Sequence, residues 1–309
     1  MLERAALAEY RTWSLDSRMW SAVTPRDDDI VIATAPKCGT TWTQQIVSSL
    51  VFQDAEARPI PKVSTWVEAR FRHTEAEMKK AIEAQTHRRF LKTHLPFDGL
   101  PLYSQVRYIH VARDGRDAAL SAHNHFSSFP QEVLANFDKI GMADPKIGRA
   151  YPRASPDVSR FFDQWMRAEA GPSFFHLENT YWNERERPNV LLVHYSDLKA
   201  DLDGEMRRIS TFLEIPIDEA RWPSLVAAAM FDTMKKAGDR LMPGAKMMLS
   251  GGSGEFFYKG TVGRWREVLS SEQLAAYDRT VREQCPPALV NWLEHGRLGA
   301  APRGGSAAA

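Results

Sequence analysis

Short runs of aliphatic and β-branched residues alternate along the chain with longer segments whose apolar positions recur at helical spacing. Four runs have the composition of buried strands, at residues 30–34, 89–93, 106–112 and 189–194. Strands that alternate with helical segments are typical of a parallel sheet covered by helices. The pattern therefore predicts an α/β fold, a central parallel sheet flanked by helices on both faces, without repeats or an interdomain linker.

Helical spacing is clearest directly after the first strand, at residues 40–52, and it recurs at 118–126, 158–170 and 201–215, the last before Pro216. The first strand is followed by a turn that holds Pro36 and Gly39, and the third by a turn from Asp114 to Asp117. Both turns lead from a strand into a helix. We expect them to open at the same edge of the sheet.

The ends of the chain and one internal segment have a different pattern. Residues 1–16 mix charges with apolar residues, which predicts an amphipathic helix rather than an export signal. Residues 241–254 are rich in Met, Ser and Gly and predict a mobile loop. Residues 1–297 are expected to form one domain, and residues 298–309 a disordered tail.

Composition narrows the class of protein. The 40 basic and 39 acidic side chains give a formal charge of +1, which does not favour a general nucleic-acid binder. Cys38 and Cys285 are the two cysteines, too few for a disulfide framework or a cysteine-rich zinc module. No stretch approaches the roughly 18 apolar residues of a membrane span. These features predict a cytoplasmic protein that binds neither membrane nor nucleic acid.

The first strand-to-helix turn has the residues of a phosphate-binding loop. It reads Ala-Pro-Lys-Cys-Gly-Thr-Thr-Trp from Ala35 to Trp42. A helix N-terminus offers unpaired N–H groups to an anion, and here hydroxyls and an ammonium could add to them. The lysine stands at Lys37, inside the loop, whereas nucleotide-triphosphate loops place it after the second glycine. No apolar run ends in an Asp that would hold Mg²⁺, so ATP hydrolysis is disfavoured.

With three further segments, this loop resembles the cytosolic-type sulfotransferases, which transfer a sulfuryl group from 3′-phosphoadenosine 5′-phosphosulfate (PAPS) to a hydroxyl or amine. The matching segments, in order, are APKCGTTW, LKTHLP, YIHVARDGRDAALS and YKGTVGRW. The resemblance covers about residues 30 to 270 and implies a single-domain, P-loop-like fold. It also implies PAPS as co-substrate, adenosine 3′,5′-bisphosphate (PAP) as product, and no metal.

The resemblance assigns the nucleotide site residue by residue. The 5′-phosphosulfate would be held by Lys37, Cys38, Gly39, Thr40 and Thr41. Trp42 would stack on adenine; the alternative is that this indole packs in the core on its helix. Arg113 and Ser121 would bind the 3′-phosphate, an anion that suits a guanidinium. The alternative for Arg113 is a surface ion pair with Asp114 or Asp117.

Later segments would complete that site. Tyr195 and Phe231 match aromatic residues near the adenine, or they are core aromatics. Lys259 and Gly260 fit the late motif that closes over the 3′-phosphate. Tyr258 stands where the family usually has Arg, so one phosphate donor is missing or is supplied by Arg264 or Arg266.

The same resemblance makes His94 the base, because an acceptor hydroxyl must lose its proton as it is sulfated. Lys37 and Lys92 would balance charge on the sulfuryl group and the bridging oxygen.

Aromatic and Met-rich segments near Phe126, Phe129 and residues 241–248 predict an apolar acceptor pocket for a small, apolar or aromatic compound with a hydroxyl or amine. His123 and His125 are interpreted as helix or pocket residues. A P-loop ATP-dependent kinase and a non-catalytic nucleotide-binding module are the competing hypotheses. The sequence leaves open a monomer or a homodimer.

Overall fold

The computed structural model of the protein describes residues 1–299. The strands are β1 (Leu2–Arg4), β2 (Ile30–Thr34), β3 (Phe90–Thr93), β4 (Leu102–Tyr103), β5 (Arg107–Ala112) and β6 (Val190–His194). The central sheet has four parallel strands in the order β3-β2-β5-β6, and a two-stranded antiparallel sheet pairs β1 with β4.

Helices cover both faces of the central sheet. They are α1 (Thr40–Phe52), α2 (Ile60–Val63), α3 (Glu75–Glu83), α4 (Gly115–Phe126), α5 (Gln131–Ala143), α6 (Val158–Met166), α7 (Phe174–Asn183), α8 (Tyr195–Ala200), α9 (Leu202–Phe212), α10 (Trp222–Ala229), α11 (Phe231–Lys236), α12 (Gly238–Leu241), α13 (Ala245–Met248), α14 (Gly252–Phe256), α15 (Ser271–Gln284) and α16 (Pro287–Gly299). Short 3-10 helices occur at Ser17–Ala22, Phe97–Gly99 and Arg264–Glu267.

Successive side chains of a buried strand point to opposite faces of the sheet, and this creates two cores. In β2, Val31 and Ala33 pack with Met19, Leu91 and other residues on one face. Ile30 and Ile32 pack with Ile46, Leu50 and other residues on the opposite face. Because both faces are covered, every residue of β2 is buried, and the strand reads as a continuous apolar run.

The predicted strands and first helix agree closely with the structure. β2 and α1 have the predicted bounds, and the other three parallel strands begin one residue later than expected. The predicted helix at 201–215 ends early, at Phe212, because Glu214 takes a left-handed conformation with φ 55°. The predicted helix at 158–170 likewise ends at Met166, before Ala168 with φ 52°.

The prediction of an N-terminal helix is wrong. Leu2–Arg4 instead pairs as a strand with Leu102–Tyr103, and the backbone N–H groups of Leu7 and Ala8 bond to the Asp98 carbonyl. Leu2 and Leu7 are exposed. The apolar residues of this segment therefore form no buried helical face, and its backbone bonds are made with distant residues.

The prediction of a loop without regular structure at 241–254 is also wrong, because short helices α12, α13 and α14 occupy this segment. Leu241 is buried against Ile60, Met234 and Phe257 in a separate small core. These contacts supply the stability that the glycine-rich sequence lacks by itself.

Helix α16 continues to Gly299, and the rest of the predicted tail lies outside the described residues. Cys38 and Cys285 are both free and buried. Over residues 1–299, no helix is sufficiently long and apolar to cross a membrane.

Candidate active site

A cavity of about 590 Å³ opens where β2, β3 and β5 end. Because these strands are parallel neighbours, their carboxyl ends carry Ala35, His94 and Arg113 to one edge of the sheet. Residues that were predicted for the site and that line this cavity are Lys37, Gly39, Thr40, Thr41, Trp42, Lys92, His94, Arg113, Ser121, Tyr195, Phe231, Tyr258, Lys259 and Gly260. Cys38 does not line it; its side chain is fully buried in the core.

The loop between β2 and α1 is folded tightly at the helix N-terminus. Lys37 has φ 70° and Gly39 has φ 107°, both in the left-handed region. A Cβ on Gly39 would lie 3.1 Å from Cδ2 of Tyr195. A glycine is therefore required both by its conformation and by the close approach of Tyr195, and the N-terminus of α1 faces the cavity.

Arg113 follows β5 and points across this loop. Its Nη1 donates to the Lys37 carbonyl at 3.2 Å, and its Nη2 donates to the Thr261 carbonyl at 2.9 Å. Its Nε is buried and has no partner among the residues that the structure describes. Asp114 binds Arg116, and Asp117 accepts the Gly263 N–H, so the alternative ion pairs for Arg113 are not formed. Arg113 keeps an unpaired donor beside the cavity.

The late segment forms one wall of the cavity. A Cβ on Gly260, which has φ 61°, would lie 2.7 Å from the Phe231 ring. Tyr258 is 39% exposed, and the Lys259 ammonium and Arg264 guanidinium lie 5.1 and 5.4 Å from its ring centre. Arg264 lines the cavity, so a guanidinium is present near Tyr258, which stands where the family motif usually has Arg.

Trp42 and Tyr195 meet edge to face, with ring centres 5.3 Å apart. The Trp42 Nε1 donates to the Ala229 carbonyl at 2.7 Å. The indole is thus fixed and half-buried, with part of its surface on the cavity.

The His94 imidazole is held in one tautomer. Its Nδ1 lies 2.7 Å from the Thr34 carbonyl oxygen, which can only accept, so Nδ1 carries the proton. Nε2 is left with a free lone pair. Burial, with the positive charge of Lys92, lowers the pKa of His94 well below its usual value. The side chain is therefore a neutral base at neutral pH.

Two lysines approach the cavity from β3 and the loop. The Lys92 Nζ lies 4.1 Å from the Trp66 ring centre, and the Lys37 Nζ lies 4.7 Å from that of Phe256. Burial lowers the pKa of Lys92 to about 7, with a further contribution from Arg72. Burial also lowers the pKa of Lys37 to about 8, with a contribution from Arg113. Within residues 1–299 neither ammonium group has a carboxylate partner, so both would be stabilised by an anion.

Glu68 is a residue that the sequence analysis missed. Its buried carboxylate accepts from the His94 N–H at 2.7 Å and from the Trp66 indole at 2.6 Å. It also accepts from the Thr93 hydroxyl at 3.1 Å and the Trp20 indole at 3.0 Å. Glu68 therefore fixes the turn that presents His94. An acidic residue between Val67 and Ala69 was the available signal.

Replacing Glu68 with Gln should lower the free energy of unfolding by about 1–3 kcal/mol, because an amide NH₂ would face buried donors. Urea denaturation measures this loss, and Glu283→Gln on the exposed end of α15 is the control. An unchanged midpoint in the Glu68 variant would show that the carboxylate does not hold the turn.

The far half of the cavity is lined by aromatic residues. His125 packs edge to face with Phe126 and Phe129, at ring-centre distances of 5.4 and 5.3 Å. Its Nδ1 is buried without a partner, and burial lowers its pKa well below the usual value. His123 instead bonds to the Ser155 carbonyl at 3.1 Å. In the described residues, no group of three or more His, Cys, Asp or Glu side chains could hold a metal ion.

Comparisons with known proteins identify the family of the chain. The family model described as "Sulfotransferase domain" matches residues 27–286. A glycolipid sulfotransferase of Mycobacterium bovis is 32% identical over 95% of this chain and 96% of the relative. Cytosolic sulfotransferase 1 of Danio rerio is 27% identical over 86% of each chain.

Solved structures share the fold. Mouse sulfotransferase SULT7A1, complexed with PAP, has a TM-score of 0.68 at 19% identity, over 91% of this chain and 90% of that one. Retinol dehydratase, in complex with androsterone and PAP, has a TM-score of 0.69 at 20% identity, over 86% and 83%.

The chain therefore belongs to the sulfotransferase family, and its central parallel sheet with helices on both faces is the fold of that family. It is an enzyme of the class that transfers sulfuryl groups. This assignment favours the sulfotransferase hypothesis over the kinase and the non-catalytic module.

Proposed function

We propose that this sulfotransferase uses PAPS as donor and sulfates a hydroxyl or amine of a small acceptor. The observation that carries the proposal is the joining of three groups in one cavity: the anion loop with Lys37, the partly unpaired Arg113, and the neutral imidazole of His94. This set suits a donor with two separated anionic groups and an acceptor that must lose a proton.

The residues fit the nucleotide. The N-terminus of α1 and Lys37 would hold the 5′-phosphosulfate, with Thr40 and Thr41 as hydroxyl donors. The guanidinium of Arg113 and the Ser121 hydroxyl, which both line the cavity, would bind the 3′-phosphate. Cys38 would contribute only its backbone, because its side chain is buried in the core.

Other cavity residues would hold the adenine ring and close the site. Trp42, Tyr195 and Phe231 would enclose the adenine. Lys259 and the Gly260 backbone would close over the 3′-phosphate, with Tyr258 on the cavity wall and Arg264 in place of the missing family arginine.

Bound PAPS supplies the sulfuryl group: a new S–O bond forms to the acceptor oxygen as the bond to the phosphate oxygen breaks, which leaves PAP. His94 Nε2 would accept the acceptor's proton, since Nδ1–H is held by the Thr34 carbonyl. Lys92 and Lys37 would stabilise the charge that develops on the sulfuryl and bridging oxygens. No step in this scheme requires a metal ion. The aromatic half of the cavity would hold an apolar acceptor and exclude water.

The lowered lysine pKa values predict proton uptake when PAP binds at pH 8. In the free enzyme, Lys92 with a pKa of about 7 is mostly neutral, and Lys37 with a pKa of about 8 is half-charged. Phosphate raises both pKa values, so the complex takes up about one proton and affinity falls as pH rises from 7 to 9. Calorimetry in buffers of different ionisation enthalpy measures the uptake. Lys92→Met should reduce it, and zero uptake by the parent would contradict this account.

The proposed function is tested by incubating the enzyme with ³⁵S-labelled PAPS and a panel of phenols, alcohols and amines. We expect label on at least one acceptor and an equal amount of PAP. Hydrolysis of ATP without label transfer would instead support the kinase hypothesis.

A further inference from the structure

Arg72 lines the cavity outside the set of nucleotide-binding residues. Its guanidinium carbon lies 5.4 Å from the Phe71 ring centre and 5.9 Å from that of Trp66. The arginine two residues before it has a carboxylate partner, because Arg70 contacts Asp144 at 2.7 Å. Over residues 1–299, Arg72 has no hydrogen-bond or ion-pair partner for its guanidinium. It is a cation in a cavity wall with its donors free.

The position of Arg72 relative to the proposed base follows from the Trp66 indole, which both contact. The His94 ring centre lies 4.9 Å from the Trp66 ring. Since the Arg72 guanidinium is 5.9 Å from the same indole, it lies within about 11 Å of the imidazole centre. A small molecule whose hydroxyl reaches His94 can therefore reach Arg72 with another group.

The cavity surface around Trp66 is basic. Lys92 and Arg72 lie near the Trp66 ring, and the positive charge of Arg72 contributes to the lowered pKa of Lys92. Glu68 bonds to the Trp66 indole but does not line the cavity. The acidic side chains that line the cavity are Asp117, Glu169 and Glu255. Asp117 is bonded to the Gly263 N–H, and none of the three contacts Arg72. A ligand anion would supply the missing counter-charge.

Arg72 lies on the acceptor side of the cavity. Its neighbour Phe71 packs edge to face with Phe137, at a ring-centre distance of 5.2 Å. Phe137 belongs to a small aromatic core with Trp13 and Tyr151. This core is separate from α1 and α4, which carry the proposed phosphate ligands. The anion that fits Arg72 is therefore a group of the acceptor.

We propose that Arg72 binds an anionic group of the acceptor, so that the physiological acceptor is a hydroxyl compound that also bears a carboxylate, phosphate ester or sulfate ester. An apolar or aromatic body joins the two groups and lies on the Trp66 and Phe71 rings. A guanidinium suits all three anions because its fork of N–H donors matches their paired oxygens. The inference rests on the proposed function and specifies its substrate class.

The test compares 3-(4-hydroxyphenyl)propanoate with its methyl ester, and 4-hydroxybenzyl phosphate with 4-hydroxybenzyl alcohol, as acceptors of ³⁵S from PAPS. We expect at least a tenfold preference in kcat/KM for the anionic member of at least one pair. Arg72→Met should reduce the ratio to about one by lowering kcat/KM for the anionic member. Arg72→Lys should retain part of the preference. Arg279→Met, on the exposed face of α15, is the matched control and should keep the full ratio.

One further measurement, of PAP affinity, and the remaining outcomes of the acceptor assays decide whether the inference stands. At pH 6, where Lys92 with its pKa of about 7 is mostly charged with or without Arg72, PAP affinity of Arg72→Met should stay within threefold of the parent's. A loss of tenfold or more would place Arg72 in the nucleotide site and overturn the inference. Sulfation of neutral acceptors without any preference for anions would also overturn it, while the proposed function would stand. If no compound in the full panel is sulfated, the proposed function itself fails.

Discussion

Replacement of His94 by Ala is expected to lower kcat/KM for sulfuryl transfer by about 10²- to 10⁴-fold, the usual contribution of a general base. In the parent, the free lone pair on the neutral His94 Nε2 would take the acceptor's proton. The Ala variant has no group in its place. PAP affinity should stay within threefold, since the loop at Lys37 and the Arg113 guanidinium remain. Initial rates with labelled PAPS and calorimetry with PAP measure the two quantities.

His123→Ala is the matched control, because His123 lies on α4, bonds to the Ser155 carbonyl and does not line the cavity. It should retain activity within threefold. If His94→Ala keeps more than about a tenth of the parental kcat/KM, then His94 is not the base.

Replacement of Arg113 by Met should weaken PAP binding by about 30- to 1000-fold, through loss of a charge-assisted contact with the 3′-phosphate. Arg113 also donates to the Lys37 and Thr261 carbonyls, so its removal could disturb the loop as well. Adenosine 5′-monophosphate, which lacks the 3′-phosphate, separates the two effects.

In the parent, PAP should bind at least 30-fold more tightly than the monophosphate. In Arg113→Met this ratio should fall at least tenfold, and Ser121 and Lys259 should keep what remains of the preference. Arg279→Met should keep the parental ratio. An equal loss of affinity for both nucleotides would mean that Arg113 supports the loop without contacting the 3′-phosphate.

The strands and the phosphate loop could be predicted because their signals are local. Buried parallel strands are continuous apolar runs, as in Ile30–Thr34, and the position of His94 directly after such a run fixed the edge on which it lies. The N-terminal segment was predicted wrongly because its structure depends on pairing with Leu102–Tyr103, about a hundred residues away.

Glu68 and Arg72 could not be predicted for a similar reason. They lie between α2 and α3, outside regular elements. In such a segment no periodicity indicates which way a side chain points. The donors to Glu68 come from Trp20, Trp66, Thr93 and His94, which meet only in the fold. Arg72 draws attention because its guanidinium has no carboxylate partner in the described chain, and a sequence cannot show this.

Titration calorimetry of the unmodified enzyme with PAP tests most directly whether one nucleotide spans the α1 loop and Arg113. We expect one PAP per chain with a dissociation constant of micromolar or lower, and binding of adenosine 5′-monophosphate at least 30-fold weaker. Absence of heat with PAP, or equal affinity for the two nucleotides, would contradict the account.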